Sequence, residues 1–260
     1  MDVTAATPWL TYPGDMKIAR LSLQQGPRYG VYDEVKHDYI VLSDDPMFGD
    51  STPTGQRIPA TEANLVAPML PRSKVIGFVG SYASDARLED LGVFIKPNTA
   101  VSGPNDPLVI PAWADQVFIE PELAIVIGRP VKDIAPDRAH EAIFGFTLSN
   151  DATSTASGAR AKMWDTSLPL GPIIDTALDT SSLDLVASIN GEEVGRASTA
   201  TLAFSPEELV AYASSLATLL PGDIISTGTP LRNCFVHAGD TAEVSLEGIG
   251  TLTNPVYKAE

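Results

Sequence analysis

The sequence predicts a mixed α+β fold in which strands predominate, of the barrel-like or rolled kind. Short strand-like runs follow one another closely along the chain, and only a few stretches have helical signals. The 20 glycines and 21 prolines are spread without a period, which is typical of many turns between short strands. With 260 residues the chain can bury a sizeable core, either in one large domain or in a main domain with a small appendage.

Charge and hydropathy exclude several classes of partner. The chain carries 17 Lys and Arg against 33 Asp and Glu, which gives a formal net charge of −16 and a pI near 4.4. Nucleic acids and anionic membranes require a basic surface, so neither is an expected partner. No apolar run of the sequence is long enough to span a membrane. Cys234, the single cysteine, predicts an inert thiol in a reducing compartment, and we expect a cytoplasmic protein.

The first part of the chain predicts a small N-terminal β subdomain at 16–70, preceded by an arm at 1–15. Gly26-Pro27 separates the first two strand-like runs. The stretch 43–57 is rich in Asp, Pro, Gly, Ser and Thr, which favours a loop. Strands are expected at 18–23, 29–32 and 38–42.

Residues 71–260 form the predicted main domain, in which strands again outnumber helices. Asn190-Gly191 follows a strand-like run and predicts a hairpin, because this pair readily adopts the positive φ angles of a tight turn. One long apolar strand is expected at 117–128. Further strands are expected at 74–79, 93–96, 108–110, 144–150, 183–189, 222–226, 241–246 and 252–256.

Three helices are predicted in this domain, at 82–90, 136–143 and 205–220. The second begins with proline at a permitted early position. The third opens with Ser-Pro-Glu-Glu, which has the spacing of a capping box. Its apolar residues recur at helical spacing and predict one buried face, made of Leu209, Tyr212, Ala213, Leu216 and Leu220.

Two glutamates, Glu120 and Glu122, open the long apolar run. On a strand, side chains at i and i+2 share a face, so their Cα atoms would lie about 7 Å apart. Buried carboxylates need a cation or hydrogen bonds, and a hard divalent ion such as Mg²⁺ takes oxygen ligands. Asp151, after the strand-like run 144–150, offers a third carboxylate to such an ion, which a 2-oxo acid could also chelate. Alternatively, the glutamates are the hydrated face of an edge strand, where Pro121 needs no ladder hydrogen bond.

Lys162 and Thr229 are candidate contacts for an anionic ligand. Lys162 precedes the rigid turn 168–172 and could pair with a substrate carboxylate, although most lysines are solvated surface charges. Thr229 lies in the segment 226–230, whose hydroxyl and N–H groups could hold an anion or a nucleophilic water. The same composition is also typical of a plain turn.

Several blocks of the sequence, taken in order, resemble the fumarylacetoacetate hydrolase family, in particular its branch of 2-hydroxyhepta-2,4-diene-1,7-dioate isomerases and acylpyruvate hydrolases. The resemblance implies a β-roll catalytic domain at 71–260, a homodimer, and Mg²⁺ or Mn²⁺ held by Glu120, Glu122 and Asp151. It also implies that Lys162 and Thr229 contact the substrate, and we expect Tyr82 to do the same. The matching blocks are 71–77, 94–97, 120–124, 145–147, 150–151, 170–172, 221–225, 227–230 and 248–252.

The chain departs from the family pattern where the family usually activates a water molecule. Members of the branch carry Asn-Tyr-x-x-His-x-x-Glu, whereas 81–89 reads SYASDARLE, with Asp85 in place of the histidine and Leu88 in place of the glutamate. Asp85 or Glu89 could replace the missing base, or both could simply be solvated. The Arg and Gln that usually follow the aspartate of the site are also missing from 153–158.

These observations predict a divalent-metal enzyme that acts on a β-dicarbonyl or 2-oxo acid through a metal-stabilised enolate. The reaction would be C–C bond hydrolysis, decarboxylation or tautomerisation, with Lys162, Asp85 and Glu89 as the candidate catalytic residues. One alternative is a non-catalytic binding protein of the same fold. Another is that the metal site is lost and that Lys162 or another cation neutralises the carboxylates.

Overall fold

Strands make up most of the regular structure in the computed structural model, which describes residues 15–49 and 51–260. The predicted predominance of strands is confirmed. In chain order the strands are β1 (Lys17–Leu21), β2 (Arg28–Asp33), β3 (Asp38–Leu42), β4 (Pro53–Pro59), β5 (Leu65–Val66), β6 (Val75–Val79), β7 (Gly92–Lys96), β8 (Val101–Ser102), β9 (Leu108–Ile110), β10 (Val117–Phe118), β11 (Pro121–Ile127), β12 (Ile143–Asn150), β13 (Thr153–Ser154), β14 (Leu168–Asp175), β15 (Asp184–Ile189), β16 (Glu192–Ser198), β17 (Ile224–Ser226), β18 (Phe235–Val236), β19 (Thr241–Leu246) and β20 (Gly250–Lys258).

A 12-stranded sheet runs through the whole molecule. Ten of its strands follow the order β4-β3-β2-β1-β14-β12-β11-β17-β6-β7, while β5 pairs with β1 and β8 pairs with β14. The N-terminal strands therefore continue the sheet of the rest of the chain, through the pairing of Ile18 in β1 with Ile174 in β14. The strand β11 lies in the middle of this sheet, and all of its residues are buried.

The N-terminal region contains two strands, β4 and β5, that the sequence does not predict. The strands expected at 18–23, 29–32 and 38–42 are present as β1, β2 and β3. The loop expected at 43–57 is wrong in part, because β4 begins at Pro53 and pairs with β3. This exposed, polar edge strand is held by pairing and not by burial, so it carries no hydrophobic pattern. Apart from Asp15, the predicted arm at 1–15 lies outside the described residues.

The apolar run 117–128 is not the single strand that the sequence predicts. It divides into β10 and β11, with Ile119 and Glu120 between them. The strand β10 leaves the large sheet and joins β13 and β18 in a separate sheet of 3 strands. The change of sheet occurs at Glu120, immediately before the start of β11.

A 5-stranded sheet, in the order β16-β15-β19-β20-β9, packs against the large sheet. Leu185, Val244 and Leu252 from this sheet share one core with Leu123 and Leu148 from β11 and β12. The predicted hairpin between β15 and β16 is confirmed. Its turn residues, Asn190 and Gly191, have φ angles of 54° and 79°.

The one α-helix in the described residues, α1 (Pro206–Leu216), packs on the other face of the large sheet. Its predicted capping box is confirmed, since the Ser205 hydroxyl accepts from the N–H of Glu208 and the Glu208 carboxylate accepts from the N–H of Ser205. The helix ends four residues earlier than predicted because the chain becomes extended at Ala217. Leu216 and Leu220 are consequently exposed, so their predicted place on the buried face is wrong.

The other two predicted helices are 3₁₀ or turn structure. The segment 82–90 consists of turns followed by a 3₁₀ helix, Leu88–Asp90, none of whose residues is buried. A 3₁₀ helix, Pro136–Ala142, replaces the α-helix expected at 136–143. Hydrogen bonds from Arg138 and Arg129 to Glu141 hold this helix and lower the pKa of Glu141 to about 2. In the described part of the chain, the remaining 3₁₀ helices are Asn98–Ala100, Gly158–Ala161 and Thr199–Thr201.

Candidate active site

Strand register brings Glu120 and Asp151 together. The antiparallel pair β11 and β12 places Pro121 opposite Asn150, so the residue before β11 lies beside the residue after β12. The N–H of Asp151 donates to the carbonyl oxygen of Glu120 at 2.9 Å, and the N–H of Glu120 donates to Asn150 Oδ1 at 3.0 Å. Two carboxylates that lie far apart in sequence are thereby fixed side by side at the end of the strand pair.

The third carboxylate, Glu122, faces the end of β17. The N–H of Gly228 donates to Glu122 Oε2 at 2.9 Å. Gly228 has a φ of +93°, and a Cβ atom there would lie 2.3 Å from Ser81 Oγ. The Ser81 hydroxyl in turn donates to the carbonyl oxygen of Thr227. The close approach of these two segments therefore requires glycine at 228 and aims its N–H at Glu122.

Lys162 joins two of the carboxylates. Its Nζ lies 2.9 Å from Glu120 Oε2, pairs with Asp151 Oδ2, and donates to Thr153 Oγ1 at 2.5 Å. The same Nζ lies 4.6 Å from the centre of the Phe94 ring. The lysine follows the 3₁₀ helix Gly158–Ala161, and 14% of its side chain is exposed. Lys162 is therefore a member of the carboxylate cluster and not a solvated surface charge.

The sequence analysis missed Lys96, the second lysine of the cluster. Its side chain has 0% exposure, and its Nζ lies 2.7 Å from Asp151 Oδ1. It also donates to the carbonyl oxygens of Ser167 and Ala152 and to Ser167 Oγ, at 2.7 Å, 3.1 Å and 3.0 Å. Both oxygens of Asp151 are thus paired with ammonium groups. A lysine within the block 94–97 is the only sequence signal of this role.

Burial dominates the electrostatics of the cluster. It raises the pKa of Glu122 well above its usual range, and the negative charge of Asp151 raises it further. Burial is also the main reason that the pKa of Glu120 is raised and that of Lys96 is lowered. Burial also acts to lower the pKa of Lys162, but the negative charges of Asp151 and Glu120 outweigh burial and raise this pKa.

Two predicted substrate contacts lie close to this cluster. The hydroxyl of Tyr82 is buried and makes no hydrogen bond within the described residues. Burial raises the pKa of Tyr82, and the nearby charge of Glu122 adds to the effect. Thr229 follows Gly228, and its hydroxyl accepts from the N–H of Leu231 at 3.3 Å.

Asp85 and Glu89 lie on the exposed turn segment that follows Tyr82. Glu89 forms an ion pair with Arg87, and 59% of its side chain is exposed. In the part of the chain that the structure describes, neither carboxylate has a hydrogen bond or ion pair with the cluster. The structure therefore brings Glu120, Glu122, Asp151 and Lys162 together and leaves the two candidate bases outside.

The cluster has the donor chemistry of a site for a hard divalent ion. As the side chains stand, no group of 3 or more acidic, His or Cys side chains in 15–49 and 51–260 forms a ready metal site, because Lys162 lies between Glu120 and Asp151. The three carboxylates nevertheless supply the oxygen ligands that Mg²⁺ and Mn²⁺ prefer. A further positive charge would also offset the burial and the charge of Asp151, which together raise the pKa of Glu122. The residues present therefore fit such an ion once Lys162 moves.

The cluster lies within a part of the chain that matches a known protein family. The family described as "Fumarylacetoacetate (FAA) hydrolase C-terminal" matches residues 79–257, which include every residue of the cluster. The chain belongs to the fumarylacetoacetate hydrolase family. A second family, described as "Rv2993c-like, N-terminal", matches residues 16–68.

Relatives within the fumarylacetoacetate hydrolase family extend over most of the chain. Protein Rv2993c of Mycobacterium tuberculosis is 40% identical over 228 residues, which cover 81% of this chain and 85% of the relative. A mitochondrial oxaloacetate tautomerase of Bos taurus is 32% identical over 223 residues, which cover 76% of this chain and 71% of the relative.

Solved structures of the family share the fold. The 2-hydroxyhepta-2,4-diene-1,7-dioate isomerase of Mycobacterium marinum matches with a TM-score of 0.84 and 37% identity, over 94% of this chain and 98% of that chain. A maleylpyruvate hydrolase of Sphingobium sp. SYK-6, in complex with manganese(II) and pyruvate, matches with a TM-score of 0.78 and 27% identity, over 94% of this chain and 100% of that chain. The predicted β-roll fold of the family is confirmed.

In the described residues no helix is both long and apolar enough to cross a membrane.

Proposed function

We propose that this protein is a divalent-metal-dependent enzyme that interconverts the keto and enol forms of a 2-oxo acid. The observation that carries the proposal is the cluster of three buried carboxylates, Glu120, Glu122 and Asp151. Lys162 pairs with two of them, Glu120 and Asp151. Similarity to an oxaloacetate tautomerase and to a structure that holds manganese and pyruvate supports the same substrate class.

The three carboxylates would hold Mg²⁺ or Mn²⁺. Such an ion supplies a Lewis acid beside the keto oxygen of the substrate, which stabilises the negative charge of an enolate. The protein contributes positioning. Asp151 is oriented through Lys96, and Glu122 is oriented through the N–H of Gly228, so neither ligand needs to reorganise to present its remaining oxygen.

The substrate carboxylate would be bound by Lys162, whose ammonium is the least enclosed positive charge of the cluster. Tyr82 carries a buried hydroxyl without a partner in the described part of the chain, and it would donate a hydrogen bond to a substrate oxygen. The hydroxyl of Thr229, which lies next to Gly228, would form a further hydrogen bond with the substrate. The ring of Phe94, 4.6 Å from Lys162 Nζ, excludes water from one side of the ammonium.

The position of the candidate bases favours enolisation over hydrolysis. Cleavage of a carbon–carbon bond by water needs a base that activates the water molecule beside the substrate. A keto–enol exchange needs only an acceptor for the proton that leaves the enol oxygen or C3 and a donor for the proton that replaces it, and solvent water can serve as both once the enolate is stabilised. Asp85 and Glu89 would reach the cluster only if the segment 82–90 moved, and Glu89 would first have to leave Arg87. We therefore assign them no role in the tautomerase reaction and keep them as candidate bases for a hydrolytic one.

The test follows the decay of the enol absorbance of oxaloacetate with Mg²⁺-loaded protein. The wild type should accelerate the decay. E122Q removes a charged metal ligand, so its tautomerase activity should fall by about a hundredfold or more. The exposed Glu62 provides the control, and E62Q should match the wild type. Pyruvate formation would instead identify a decarboxylase, and cleavage of acylpyruvates a hydrolase. Binding of oxaloacetate without any turnover would refute the proposal and identify a non-catalytic binding protein.

The proposal also includes a homodimer, which only the resemblance to the family implies, and a cytoplasmic location and a domain boundary near residue 70, which the sequence predicts. Light scattering on the purified protein tests the first of them. A monomeric protein would refute the expected assembly without affecting the assignment of the active site.

A further inference from the structure

The two lysines of the cluster are held very differently. Lys96 is completely enclosed. Its ammonium donates to two carbonyl oxygens and to the Ser167 hydroxyl, and it forms an ion pair with Asp151 Oδ1. Lys162 is partly exposed and follows a short 3₁₀ helix, Gly158–Ala161, that contains no buried residue. The Lys162 ammonium can therefore turn towards solvent, whereas the Lys96 ammonium cannot leave without breaking three buried hydrogen bonds and a buried ion pair.

A divalent ion and the two lysine ammonium groups compete for the same carboxylate oxygens. Lys162 occupies Asp151 Oδ2 and Glu120 Oε2, and Lys96 occupies Asp151 Oδ1. A divalent ion that binds Asp151 must consequently displace one of the two ammonium groups. The comparison of the two lysines identifies Lys162 as the group that leaves.

The charge balance leads to the same conclusion. With both lysines in place and all three carboxylates ionised, the cluster of Glu120, Glu122 and Asp151 has a net charge of −1. Adding a divalent ion without removing Lys162 would reverse the sign and place two cations against the same carboxylate oxygens. Exchange of the ion for Lys162 leaves a neutral cluster and frees one ammonium group beside it.

We infer that Lys162 is an exchangeable counter-ion, which divalent metal displaces and which then binds the carboxylate of the incoming acid. The inference rests on the proposed function, because it takes Glu120, Glu122 and Asp151 as the metal ligands. It makes metal binding a precondition for anion binding: without the ion, Lys162 is held by protein carboxylates and cannot attract a substrate carboxylate. Lys162 thus opposes metal binding and supports acid binding.

Opposite effects of one substitution provide the test. Metal-free K162M and K162Q are titrated with Mn²⁺, and free Mn²⁺ is measured by electron paramagnetic resonance. Both variants should bind Mn²⁺ about ten- to hundredfold more tightly than the wild type, because a buried carboxylate pair has lost its competing cation. Oxalate, added to the Mn²⁺-saturated proteins and followed by calorimetry, should bind at least about tenfold more weakly to both variants.

Lys36, an exposed lysine in a turn, provides the control for loss of charge, and K36M should match the wild type in both titrations. Thermal unfolding verifies that each variant is folded. Equal or weaker Mn²⁺ binding by folded K162M and K162Q would overturn the inference, as would equal tightening in K36M. If neither the wild type nor K162M binds Mn²⁺, the proposed metal site itself fails. If Mn²⁺ binds equally to both, only the exchange of Lys162 fails.

Discussion

Replacement of Lys96 by methionine tests how much the buried ion pair contributes to stability. Methionine keeps most of the aliphatic side chain, so the main loss is the ammonium, which has 0% exposure and lies 2.7 Å from Asp151 Oδ1. Removing one partner of a buried pair leaves the other charge uncompensated and costs about 3–5 kcal/mol. For a chain of this length, such a loss corresponds to a fall of about 6–20 °C in the midpoint of thermal unfolding.

Urea unfolding of metal-free protein, monitored by circular dichroism, measures the free energy of unfolding of K96M. Lys36 again provides the control, since K36M removes an exposed charge and should change stability by no more than about 0.5 kcal/mol. A loss below about 1 kcal/mol in K96M would refute the reasoning. It would mean that Lys162 alone compensates Asp151 and that the ammonium of Lys96 gains little from its ion pair and its three hydrogen bonds.

Two further predictions concern backbone conformation and pH. G228A should cost more stability than G239A in urea unfolding, because both positions have a positive φ but only the Cβ at 228 would meet other atoms within 4 Å. Strain alone costs G239A about 1–2 kcal/mol, and equal losses would show that the contact with Ser81 is unimportant. Because two arginines lower the pKa of Glu141 to about 2, its contribution to stability is present above the ordinary value of 4.5 and lost as the pH falls towards 2. The difference in melting temperature between wild type and E141Q should therefore shrink with acidification, and a constant difference would contradict the assigned ion pairs.

The local sequence patterns of this chain predict strands better than they predict breaks between strands. The Asn190-Gly191 hairpin and the capping box at Ser205 are local signals, and the structure contains both. The run 117–128 carries no local signal of its division, because the break at Glu120 depends on which strands pair on each side. The strand β4 escapes prediction for the same reason, since pairing with β3 holds an otherwise polar segment.

Strand pairing also explains why the carboxylates meet in a different way from the one that the sequence suggests. Side chains at i and i+2 share a face only within one strand, and Glu120 lies outside β11 whereas Glu122 lies within it. The residue that meets Glu120 is Asp151, through the opposition of Pro121 and Asn150. The sequence identifies the three acids, but the register that joins two of them depends on the pairing of β11 with β12.

Lys96 shows why a buried charge can escape a hydrophobic pattern. In β7, Val93 and Ile95 share one face while Phe94 and Lys96 share the other, so the pattern predicts that the valine and isoleucine face the core. The structure has the opposite orientation: Ile95 is 52% exposed and Lys96 is fully buried. The strand is at the edge of the large sheet, and its inward face lines the carboxylate cluster. The charge requirement of Asp151 thus overrides the hydrophobic preference of the strand, which is why apolar side chains remain exposed beside the proposed active site.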